Sequence, residues 1–169
     1  MGTLPVRREQ VVRAAVAEFA AGGFHGTTTA VIAARVGVSQ PYLYRLFPDK
    51  RALFTAAAEH CFDVLARTLE AACRGLRGER ARAAVDLACS QLVAQRREIV
   101  LLVLQLAAAA PSLPEDGRQL RAAWLALGDG LAARTGLSAR TFGVCLARSL
   151  AADALRGAAR PSGRGALPR

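Results

Sequence analysis

Residues 24–54, FHGTTTAVIAARVGVSQPYLYRLFPDKRALF, hold the side chains most able to do chemistry. Ser39, Gln40, Tyr42, Tyr44, Arg45 and Lys50 put hydroxyl, amide, phenol, guanidinium and ammonium groups within a dozen positions, and Thr28 stands shortly before them. These are groups of recognition, offering hydrogen bonds and positive charge. Their spacing predicts two short helices joined by a turn at Gly37-Val38. That is the geometry of a helix-turn-helix, whose second helix enters the major groove while the first braces it.

Bond-making chemistry has little support elsewhere. The chain has two histidines, His25 and His60, and no H-E-x-x-H, G-x-S-x-G or Walker sequence, so no enzyme and no cofactor is expected. Gly128-Asp129-Gly130 resembles a dinucleotide loop only faintly, because no strand precedes it and it falls within a predicted helix. Cys61, Cys73, Cys89 and Cys145 are far apart in Ala-rich stretches without a C-x-x-C pair, which argues against zinc and against a disulfide scaffold. Buried free thiols suit a reducing cytoplasm.

The elements that must position these groups follow from composition and periodicity. The 169 residues are 53% hydrophobic and 21% charged, enough for one compact domain or two small ones sharing a core. The net charge of +10 favours an anionic partner, nucleic acid or a lipid surface. Almost all of that charge is arginine, beside the single lysine Lys50, so GC-rich coding contributes part of it. The longest apolar run, Ile99 to Leu104, is far shorter than the roughly 20 residues of a membrane span, and MGTLPVRREQ carries no apolar leader.

Alanine and leucine at helical spacing predict an all-α protein. A first helix, Arg8 to Ala21, aligns Val12, Ala15, Val16 and Phe19 and stops at Gly22-Gly23. Thr27 or Thr28 caps a second helix through Arg35, and Gly37 breaks it. Ser39 caps a third, with Pro41 in its first turn and Leu43 and Phe47 on its buried side. Asp49 caps a long fourth helix from Lys50 to about Arg74, a strut between two modules. Beyond the Gly75–Gly78 linker, helices are expected over Glu79 to Gln95 and Ile99 to Ala110, with a bend at Arg96-Arg97-Glu98. Helices from Arg118 to about Arg134 and from Ser138 to Leu155 form an αα-hairpin. The Gly-, Pro- and Arg-rich end of the chain reads as a disordered tail. The implied division is 1–48, 49–156 and 157–169.

The order Gly23-Phe24-x-x-Thr27, Ile32-Ala33, Gly37-Val38-Ser39, Leu43-Tyr44-x-x-Phe47 and Lys50-x-x-Leu53 closely resembles the TetR family of bacterial transcriptional regulators. The resemblance is strong over residues 8–54 and elsewhere rests on helix number and length. It implies that Thr28 caps the second helix and binds a DNA phosphate, that Ser39, Gln40, Pro41 and Tyr42 face base edges, and that Tyr44 and Lys50 hold phosphates. Such a division is chemically sound. A hydroxyl, phenol or ammonium can hold any phosphate, whereas an amide donates and accepts toward one base pair. Arg45 is a second base reader or a backbone contact. Arg7 and Arg8 reach phosphates from an N-terminal arm or remain solvated. Ala30 and Val31 stand where the family often carries charge, which leaves the second helix fewer phosphate contacts.

A recognition helix shorter than two turns reads few bases, so a two-fold partner and a palindromic double-stranded DNA operator are expected. By resemblance, the last two helices pair in a homodimer through Leu120, Trp124, Leu127, Leu131, Phe142, Leu146 and Leu150. The same resemblance implies a small-molecule inducer, mainly aliphatic, near His60, Cys61, Cys89 and Gln105, and a repressor that releases DNA when it binds. The competing readings are a helical ligand-binding or interaction module without operator recognition and a basic membrane-surface protein. The scattered arginines argue against the latter.

Overall fold

The computed structural model describes residues 4–109, 122, 125, 126, 128–133, 136 and 139–158, and among these every regular element is helical. Helix α1 spans Leu4–Gly26, α2 Thr29–Val36, α3 Gln40–Leu46, α4 Lys50–Ala72, α5 Gly78–Ala109 and α6 Ala139–Ala158. The helix expected from Arg118, like the tail beyond residue 158, lies largely or wholly outside the described residues.

Local chemistry sets most of the boundaries. Helix α1 starts earlier than Arg8 because Pro5 falls in its first turn, where a missing N–H leaves no bond unmade. Its regular path breaks at Gly23, with φ 68° and ψ 178°, and one further turn leads to Gly26. Thr28 caps α2 by accepting from the Val31 amide at 3.3 Å. At the other end Gly37 adopts φ 72°, and the amides of Gly37 and Val38 return to the carbonyls of Ala34 and Ala33. Ser39 accepts from the Tyr42 amide at 3.3 Å and Asp49 from the Ala52 amide at 2.7 Å, capping α3 and α4. At its 23 residues, α4 is about 35 Å long. It ends at Ala72, two residues before Arg74, with Cys73 as its cap. The two helices expected on either side of a bend meet at Arg96, where the backbone leaves helical geometry with φ −144° and ψ 52°, and together they are labelled α5.

One apolar cluster joins all six helices. Val12, Ala15, Val16 and Phe19 of α1 meet Ile32, Leu43, Phe47 and Leu53, and the cluster continues through Leu65 and Leu69 to Val85, Leu92, Ile99, Val103 and Leu146. Helix α5 packs on α1, α4 and α6 at once. It is the central element of the fold, as its apolar second half requires. Polar pairs fasten its outer side to α6: Arg148 with Asp86, Ser90 with Ser149 at 3.4 Å, and Arg97 with Asp153 at 2.9 Å.

Candidate nucleic-acid interface

Helix α3 is anchored by Leu43 and, just past its end, by Phe47, both sealed in the core against Ile32 and Ala33 of α2. Its other side faces outward. Gln40, Pro41, Tyr44 and Arg45 are exposed, Tyr44 to 44%, while Tyr42 is half-buried. Thr28 and Ser39 are also exposed at the starts of their helices, each already accepting one backbone N–H through its hydroxyl. Their hydroxyl protons are therefore the groups available to an incoming acceptor.

A hydroxyl not singled out from sequence holds this surface together. Thr29, buried, accepts from Gln40 Nε2 at 2.8 Å and shares a hydrogen bond with the Tyr44 hydroxyl at 3.0 Å. Thr29 and Tyr44 are fifteen positions apart on different helices, so no periodicity within one helix could connect them. Lys50, at the start of α4, reaches back to the end of α1. Its Nζ lies 4.8 Å from the centre of the Phe24 ring and 3.5 Å from the His25 carbonyl that it donates to. This leaves the ammonium two further donors beside the chain segment that leads into Thr28.

Behind this surface, α1 supplies the brace. Thr27 donates to the Glu18 carbonyl at 2.9 Å, and Arg35 of α2 pairs with the Glu18 carboxylate. Gly22 makes the approach of Thr27 possible, since a Cβ there would sit 2.9 Å from the Thr27 hydroxyl. Arg8, considered for an N-terminal arm, lies with its guanidinium carbon 4.7 Å over the Phe47 ring.

The four residues considered for a ligand pocket have different surroundings. Cys61 and Cys89 are part of the core, and burial pushes both thiols up to about 12. Gln105 is exposed and donates to the Ala20 carbonyl of α1 at 3.0 Å, so its amide ties α5 to the N-terminal module. His60 lines a cleft of about 330 Å³ between α1 and α4, together with Arg8, Glu9, Glu59 and Asp63. Its Nε2 is buried without a hydrogen-bond partner among the described residues, and burial followed by the charges of Arg96 and Arg13 lowers its pKa.

Of the residues considered for dimer contacts, Leu120, Trp124 and Leu127 lie outside the described residues. Leu131, Phe142 and Leu146 are buried within the protomer itself, and Leu150 packs at the edge of the same core. The outer face of α6 carries different residues: Val144, 57% exposed, Leu155, 73% exposed, and the exposed Ala147 and Ala151.

Comparison with known proteins agrees with this geometry. Residues 11–57 match the family described as bacterial regulatory proteins, tetR family. A 54-residue stretch is 46% identical to the class C tetracycline repressor protein of Escherichia coli, covering 32% of this chain and only 25% of that repressor. A TetR-like transcriptional regulator from Rhodococcus sp. RHA1 is similar over 92% of this chain and 84% of its own, with TM-score 0.63 and 25% identity. The regulator FadR from Bacillus subtilis, solved in complex with stearoyl-CoA, shares the fold over 88% of each chain, with TM-score 0.64 and 20% identity. Over residues 11–57 this chain carries the helix-turn-helix module of the tetR family of bacterial regulatory proteins, and the helical fold built behind it is similar to that of TetR-like regulators.

Proposed function

We propose that this protein is a homodimeric, cytoplasmic DNA-binding regulator, a repressor that holds a palindromic operator and releases it when a small molecule binds. The observation that carries this reading is α3 itself. Its apolar side is locked into the core by Leu43 and Phe47, while Gln40, Pro41, Tyr44 and Arg45 stand outward on a rigid support. Thr28, Tyr44 and Lys50 would hold phosphates, Gln40 and Pro41 would meet base edges with Ser39 and Tyr42 beside them, and Arg45 would serve either surface.

The size of α3 argues for a dimer. Seven residues span roughly 10 Å, about three base pairs, too few to specify a site in a genome. Two copies related by a two-fold axis would read half-sites about one helical turn, or a multiple of it, apart. The exposed apolar face of α6 is the surface we assign to pairing, with the outer residues Val144 and Leu155 at its centre rather than the inward Phe142 and Leu146.

For the inducer we propose an apolar small molecule bound between α4 and the core of the second module. A fold relative, FadR from Bacillus subtilis, was solved with stearoyl-CoA, a ligand with a long apolar acyl chain. Several rounds of selection from random duplex DNA, followed by titration of the winner at two salt concentrations, test the DNA reading. A palindrome whose binding falls with log salt at a slope of about −0.9 per phosphate contact is the expected result. Weak, salt-sensitive binding with no enriched sequence would refute it and favour a helical interaction module without operator recognition.

A further inference from the structure

We propose that Thr29 is a positioning residue for base reading. By taking one amide proton of Gln40, it holds that amide with its oxygen toward the groove, so that Gln40 selects a base bearing an exocyclic amino group. The inference rests on the DNA-binding reading above and specifies its chemistry.

Gln40 is the first residue of α3, and the N-terminal residues of a recognition helix are those that reach base edges. A free glutamine amide turns either end to a base. Here the choice is restricted, because Nε2 donates to Thr29 Oγ1 at 2.8 Å while no described residue donates to Oε1 of the exposed side chain. Thr29 is itself buried, and its hydroxyl is held from the other side by Tyr44 at 3.0 Å, so the anchor cannot swing out. One N–H of the amide therefore remains for DNA, beside the carbonyl oxygen.

In the major groove guanine presents two acceptors, and satisfying both from one amide would require both Nε2 protons. One of these is spent on Thr29. Thymine presents an acceptor and a methyl group, which leave the amide oxygen without a donor. Adenine and cytosine each offer an amino group to that oxygen, and the remaining N–H can also meet adenine N7. The fixed amide thus favours amino bases, adenine foremost, over keto bases at one position of each half-site.

The test begins with the selected operator. Gln40→Ala identifies the position that Gln40 reads, and all four bases are then compared there with wild-type protein, Thr29→Val and Thr29→Ser. Wild-type protein should prefer adenine or cytosine by about tenfold, the scale of one well-placed contact. Thr29→Val, similar in shape but without the hydroxyl, should lose most of that preference by admitting guanine, and Thr29→Ser should restore it. A change of affinity equal for all four bases in Thr29→Val would show a purely structural role and overturn the proposal. So would a wild-type preference for guanine or thymine, which remains decisive if Thr29→Val loses its helical circular dichroism. The Gln40 side-chain amide protons, followed by NMR in free protein, give a second readout. Unequal exchange that Thr29→Val equalises supports the bond, and equal exchange in wild type overturns it. If no operator is selected at all, the DNA reading falls and the base preference with it, whereas an operator with an unaffected Thr29→Val leaves the DNA reading standing and removes only this proposal.

Discussion

Replacing Gly22 by alanine should destabilise the protein even though the position is helical. In a helix interior that exchange ordinarily gains about 0.5–1 kcal/mol. At this site the new Cβ would lie 2.9 Å from the Thr27 hydroxyl, closer than real Cβ contacts. The Thr27 side chain can escape only by rotating, which breaks its 2.9 Å bond to the Glu18 carbonyl in a buried setting. Losing a buried hydrogen bond costs about 1–3 kcal/mol, so the net loss should be about 1 kcal/mol and at most about 2.5 kcal/mol. A domain of this size would then melt several degrees lower, at about 2–4 °C per kcal/mol. The decisive comparison is a double-mutant cycle. In a Thr27→Ala background the obstacle is gone, and Gly22→Ala should become stabilising by the helix-propensity gain alone. Urea unfolding of the four proteins at one fixed concentration, followed by circular dichroism, measures the coupling. Equal stabilisation by alanine in both backgrounds would refute the steric argument.

Other expectations follow from the same geometry. Lys50→Ala should weaken binding to every duplex alike and reduce the salt slope by about one, whereas Gln40→Ala should alter base preference; titrations against operator and scrambled DNA separate the two. Val144→Glu combined with Leu155→Glu should shift the protein from dimer to monomer in sedimentation velocity without loss of helix, since both side chains are already exposed in the protomer. Cys61 and Cys89 should resist a thiol reagent at pH 8 until the chain unfolds, because burial raises both thiols from 9.0 to about 12. Their effect on stability has the matching sign. The unfolded chain releases these protons first, so the stabilisation is intact below about pH 9 and declines as pH rises toward 12, as urea titrations across that range would reveal.

What could be read from sequence was chiefly local. Thr28, Ser39 and Asp49 cap their helices through contacts three residues away, and Gly37 and Gly23 turn the chain where positive φ is needed. The kink at Arg96 was legible because the helical pattern faltered there. The outward face of α3 was legible too, as the complement of Leu43 and Phe47. The rest depends on which surfaces meet. Gln105 looked like a polar group inside an apolar helix, but its partner is the Ala20 carbonyl of a helix 85 residues away in sequence. Periodicity aligned Phe142 and Leu146 on one face of α6 but could not say whether that face meets its own protomer or another copy. Thr29 was hidden for the same reason. A threonine at the start of a helix is ordinary until Gln40 and Tyr44 are folded onto it.

The lone lysine has a practical consequence for anyone handling this protein. Lys50, held against Phe24 and the His25 carbonyl, is the only side-chain amine in the sequence, and it stands on the surface proposed to meet DNA. Amine-directed dyes and crosslinkers therefore have one side-chain target. Tags placed there would block the surface under study, and bound operator should shield that residue from them. The four cysteines, all buried, offer no alternative handle in the folded state, so an unobtrusive label calls for a cysteine introduced on an exposed position such as Gln91.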